Sequence, residues 1–89
     1  MPKFVVYTTA NCPKCKLLKE YLASTGVRFT EKNLEDSDVA AELILKDVFD
    51  LTAPILEVDG VIVPHAEIFD GNKLLVNKLT AFLRGGSRG

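Results

Sequence analysis

The chain has 89 residues, 47% hydrophobic and 26% charged, enough for one core and not for a second. That composition excludes a disordered tract, and a net charge of -1 with a sequence pI of about 5.7 excludes the basic footprint of a nucleic-acid binder. No apolar stretch approaches the roughly 18 to 20 residues that span a bilayer, and the apolar run after Lys3 is too short for a secretory core, so a cytoplasmic monomer without membrane or nucleic-acid partners is expected.

In chain order, residues 3–9 (KFVVYTT) are β-branched and aromatic and predict a buried strand. Residues 13–24 (PKCKLLKEYLAS) place Leu17, Leu18, Tyr21 and Leu22 at helical spacing, with Gly26 beyond as a left-handed stop. Residues 27–34 (VRFTEKNL) read as a more polar strand near a sheet edge. Asp36 or Ser37 can cap a second helix over 38–49, with Leu43, Ile44 and Val48 facing the sheet.

Residues 54–58 and 61–63 are strands joined by Asp59-Gly60, a strong hairpin signal. A closing amphipathic helix over 72–83 carries Leu75, Leu79 and Phe82 or Leu83. One domain over 1–84 is expected, with 85–89 (GGSRG) as a flexible tail. Phe4, Tyr7, Phe29, Phe49 and Phe82 are assigned to the core or its margin, Tyr21 with its hydroxyl outward. The order β-α-β-α-β-β-α predicts an α/β fold: a four-stranded mixed sheet with a right-handed parallel crossover and helices on both faces.

The chemistry concentrates in residues 8–18 (TTANCPKCKLL), which hold both cysteines. Pro13 suits the first helical position, having no N–H to leave unpaired, and that makes Cys12 the N-cap. The Cys12 sulfur then faces the free amides of Lys14 and Cys15, and these with the helix dipole favour thiolate over thiol. Lys14 and Lys16 add a screened positive charge. Cys15, three residues on, can return over Cys12 from a more shielded position. Cys12 is therefore the attacking and Cys15 the resolving thiol of a dithiol–disulfide cycle, with no metal or bound organic cofactor needed.

Taken with residues 52–60 (TAPILEVDG), this segment resembles the glutaredoxin and thioredoxin-like small redoxins, over residues 3–83. The resemblance implies a thioredoxin fold and an oxidoreductase acting on disulfide-containing proteins. It also implies a substrate-binding surface of Pro13, Lys14, Thr52, Ala53 and Pro54, with a cis bond before Pro54 and the backbone of Ala53 offered to the substrate. Glutathione-using members usually carry a lysine shortly before the first cysteine, where this chain has Thr8-Thr9-Ala10-Asn11. They also carry Gly-Gly followed by acids after the hairpin, where this chain has residues 64–68 (PHAEI). The expected electron donor is a protein reductase rather than mainly glutathione, which stays open as a reductant, and the target could be ribonucleotide reductase or a similar enzyme.

Three other readings compete. His65 is a solvent-facing histidine rather than a zinc ligand, since two cysteines and one histidine fall short of four ligands. Two chains could share an iron–sulfur cluster through their cysteine pairs, or the pair could carry a soft metal such as Cu(I). Copper carriers, however, resemble a different order of elements. A redox-inert scaffold is the third.

Overall fold

The computed structural model describes residues 3–87, with side chains through residue 81. The core strand is β1 (Phe4–Thr8), buried along its whole length. It pairs in parallel with β2 (Phe29–Asn33) and antiparallel with β3 (Ile55–Val58), which turns into β4 (Val61–Val63). The sheet order is β2-β1-β3-β4, the mixed sheet that the pattern of elements predicts. At the β3–β4 turn Asp59 and Gly60 both have positive φ, 50° and 85°, as a two-residue turn matched to strand twist requires.

The strand period of two divides the core. Phe4, Val6, Leu56 and Val58 pack with Leu18 and Leu22 of α1 (Pro13–Ser24) and with Leu79 of α4 (Val76–Ser87). Val5, Tyr7 and Ile55 pack on the other face with Leu43 of α2 (Ser37–Leu45) and with Leu34. Helices thus cover both faces. Across the first layer Tyr21 and Thr80 hydroxyls share a hydrogen bond of 3.0 Å, so the Tyr21 hydroxyl joins α1 to α4 instead of pointing to water.

Both long helices of the first half end in the same way. Behind α1, Val27 N–H reaches Leu22 O and Gly26 N–H reaches Ala23 O, with Gly26 left-handed at φ 80°. Behind α2, Val48 N–H reaches Leu43 O and Asp47 N–H reaches Ile44 O, with Asp47 left-handed at φ 64°. These are paired carbonyl-closing stops with an apolar contact behind them. Because Asp47 takes the glycine-like position, α2 stops at Leu45 and not at 49. Leu43 and Val48 still pack on the sheet, whereas Ile44 is 45% and Phe49 74% exposed, so neither is the core residue expected.

Residues 64–75 also depart from expectation. A short helix α3 (His65–Ile68) and a hairpin of β5 (Phe69–Asp70) and β6 (Lys73–Leu74) precede α4, which starts at Val76. Ile68 and Phe69 are buried, so this insertion is part of the first core layer. The backbone of α4 continues to Ser87, into the stretch 85–89 expected as a flexible tail. The side chains of Phe82 and Leu83, and residues 88–89, lie outside the described residues.

On the α2 face the Tyr7 hydroxyl donates to Glu57 Oε1 at 2.7 Å, and Lys46 Nζ donates to the same oxygen at 3.2 Å. Burial and the Glu57 carboxylate hold the Tyr7 phenol far above its ordinary value. Burial would raise the Glu57 carboxyl, but the bonds from Tyr7 and Lys46 outweigh it and hold it below 4.5. A carboxyl lowered in the folded state contributes stability above its unfolded value, lost as pH falls through the folded one. Tyr7→Phe is expected to cost about 1 to 2 kcal/mol at pH 7, and the deficit should narrow as pH drops below 4.5. Urea melts of both proteins across pH 3 to 7 check this; a deficit independent of pH would remove the charge from the account.

Candidate active site

The helix α1 starts at Pro13, with Cys12 as its N-cap in extended conformation (φ -109°, ψ 100°). Cys15 N–H donates to Cys12 Sγ at 3.1 Å. Of the two amides expected to face the sulfur, Cys15 supplies this bond. Lys16 N–H closes the first helical bond to Cys12 O at 3.2 Å, and no acid lies in the first turn. A negative sulfur at this position meets an amide and the positive end of the helix. Cys12 is half-buried, whereas Cys15 is 2% exposed. The two are joined as a disulfide with Cα atoms 5.2 Å apart.

The sheet decides what lies near this pair. Tyr7 is opposite Ile55, and Leu56 is opposite Val63. The segments leaving β1, entering β3 and leaving β4 therefore share one end of the sheet. Those segments carry Cys12 to Cys15, Thr52 to Pro54, and His65. The Ala53–Pro54 bond is cis, the isomer that the resemblance implies. Pro54 is buried, Ala53 packs partly on the second core cluster, and Thr52 is exposed. Pro13 is exposed and Lys14 half-buried.

Two hydrogen bonds hold the loop before Cys12. Leu34 N–H reaches Thr8 O at 2.7 Å, and Ala10 N–H reaches Glu35 Oε1 at 3.2 Å. Asn11 turns the chain into the cap with a left-handed φ of 56°. One turn further along α1, Lys19 pairs with Glu31 at 3.1 Å, and Thr8 donates to the same carboxylate oxygen at 2.8 Å. These bonds from Thr8 and Lys19 lower the Glu31 carboxyl. Asp50 accepts from Thr52 Oγ1 at 2.5 Å and Thr52 N–H at 3.2 Å. Those two bonds, with a smaller influence from His65, hold its carboxyl below its usual value.

His65 departs from the solvent-facing role. Its ring stacks on Phe69, with centroids 5.8 Å apart and planes inclined by 20°, and its Nδ1 is buried without a partner. Lys14 Nζ stands 5.7 Å from the centroid of the same Phe69 ring. Neither aromatic was identified from sequence as part of the site. The sequence signal for them is slight: residues 64–68 lack the Gly-Gly of glutathione-using members. No group of three or more His, Cys, Asp and Glu side chains able to hold a metal is gathered among the described residues, and no helix among them is long and apolar enough to cross a membrane.

Comparison with known proteins agrees with this geometry. The family model for glutaredoxin matches residues 4–63. An uncharacterized glutaredoxin-like 8.6 kDa protein in the rubredoxin operon of Clostridium pasteurianum is 33% identical over 74 residues, covering 83% of this chain and 92% of that one. The crystal structure of the thioredoxin-like protein BC3987 superposes with a TM-score of 0.67 at 26% identity, over 90% of this chain and 99% of that one. Glutaredoxin 1 from Francisella tularensis, crystallised with cacodylate, shares the fold over the full length of both chains with a TM-score of 0.61 at 17% identity. The fold is thioredoxin-like, and the chain belongs to the glutaredoxin family.

Proposed function

We propose that this protein reduces protein disulfides through a Cys12/Cys15 dithiol–disulfide cycle. The observation that carries the reading is the Cys12 sulfur at the α1 N-cap, accepting the Cys15 amide at 3.1 Å while bonded to the buried Cys15 sulfur. Opening the disulfide returns two thiols, and the one at the cap gains the amide and the helix end as stabilisers of its ionised form.

The cycle balances without a further reagent. The Cys12 thiolate attacks one sulfur of the target disulfide, forms a mixed disulfide and expels the other target sulfur as a thiolate. Cys15 then loses its proton and attacks Cys12 Sγ. The Cys12–Cys15 bond forms, the mixed disulfide breaks, and the second target sulfur leaves. The target gains two electrons and two protons, and the pair is oxidised. Thr52 to Pro54, at the same end of the sheet, form the surface on which a target strand lies, with Pro13 and Lys14 opposite.

A protein reductase is the preferred donor that returns electrons to the pair. Two features support this over glutathione. No lysine stands among Thr8 to Asn11, and residues 64–68 form a short helix whose His65 ring is stacked on Phe69, where a Gly-Gly segment would leave open backbone. A carrier working this way suits a reducing compartment such as the cytoplasm.

Cys12→Ser is expected to abolish reduction of an insulin disulfide. Cys15→Ser should accumulate mixed disulfides with targets, seen as adducts by mass spectrometry; if none form, the order of attack is wrong. Alkylation of Cys12 by iodoacetamide in the Cys15→Ser protein should follow a pH profile with its inflection below the free-cysteine value of about 8.5. Brisk turnover of a small disulfide with glutathione as sole reductant would refute the preference for a protein donor.

A further inference from the structure

The two residues between the cysteines differ in what they contact. Pro13 starts the helix, whereas the cationic end of Lys14 stands over Phe69. A cation above an aromatic face is attracted by the ring quadrupole, more so where water is partly excluded. Phe69 cannot yield this position easily. It is 3% exposed, its backbone pairs with Leu74, and His65 stacks on its ring. A lysine side chain normally samples many rotamers, and this one, next to Cys15 in the chain, is held on the Phe69 face before any partner arrives. Preorganisation of that kind reduces the entropy lost on binding.

Charge at this end of the sheet is divided. Lys14 and Lys16 lie on α1, whose first turn has no acid, and neither forms an ion pair among the described residues. Acids on the other segments are engaged by backbone amides, Glu35 by Ala10, Asp36 by Asp38 and Asp50 by Thr52, and Glu31 by Lys19 and Thr8, while Asp70 follows Phe69 at the surface. A polypeptide lying between α1 and the Thr52–Pro54 segment therefore meets a positive wall on the α1 side.

We infer that Lys14, braced on Phe69, is a specificity residue that favours target disulfides whose reactive cysteine has an acidic neighbour. This rests on the disulfide-reductase reading. The preference acts on encounter and on orientation of the mixed disulfide, where complementary charge selects between partners of similar shape. An unlike pair at contact distance in full solvent corresponds to a preference of about fivefold, and the like pair in the competing target widens it toward roughly tenfold.

The test compares kcat/KM for two disulfide peptides, identical except for Asp or Lys beside the attacked cysteine, together with an uncharged small disulfide. Wild type should prefer the Asp peptide by roughly five- to tenfold at low ionic strength, with the ratio collapsing in high salt. Lys14→Glu should invert the ratio, and Phe69→Leu should narrow it. Lys14 is partly exposed, so its variant folds even if the Phe69 variant does not. Equal rates for the two peptides in wild type, or an order unchanged by Lys14→Glu, would overturn the selectivity while turnover of the uncharged disulfide leaves the reductase reading standing. No turnover of any of the three would overturn both.

Discussion

The fold depends, for its chemistry, on how the first helix begins. Pro13 sets the backbone of the first turn and leaves no amide of its own, and the sulfur of Cys12 caps the helix by receiving the Cys15 N–H. Serine or aspartate would satisfy the same geometry with oxygen. With sulfur, the capping atom is one that can also form a disulfide, and the amide that caps the helix end would equally stabilise a thiolate there. The second cysteine is then fixed by helical spacing, close enough to bond and itself buried.

The rest of the domain holds that helix end still. A wholly buried β1 lies directly before the loop, and its two faces anchor α1 and α2 separately. The α1 axis is held at three levels: Lys19 on Glu31 near the cysteines, Leu18 and Leu22 in the core, and Tyr21 on Thr80 of α4. The exposed Lys19–Glu31 pair contributes little energy on its own. Its carboxylate also receives the Thr8 hydroxyl, and it therefore sets orientation more than stability. The buried apolar contacts supply the stability.

Most of this was legible in the sequence because it rests on local signals. Strand periodicity, a proline at N1, an Asp-Gly turn and a left-handed glycine each act within a few residues, and each is found where it was read. What was missed depends on context. Asp47 ended α2 early because a non-glycine residue took a left-handed conformation, which propensity does not foresee. Ile44 and Phe49 looked like core by type, yet the early stop turned them outward. The segment from His65 to Leu74 carries too few residues per element for any period to show, and its order comes from burying Ile68 and Phe69. The cysteine pair was therefore readable, whereas the Phe69–His65 wall beside it was not, since it is assembled from tertiary contacts.

The hairpin at Asp59–Gly60 sits at the pole of the sheet opposite the cysteines, where Val58 faces both Phe4 and Val61. Val61 is 59% exposed there. A spectroscopic label attached at that position would ride on a strand paired to β3 while standing clear of the end that holds the cysteines. The molecule thus provides its own remote handle for watching a partner arrive and depart.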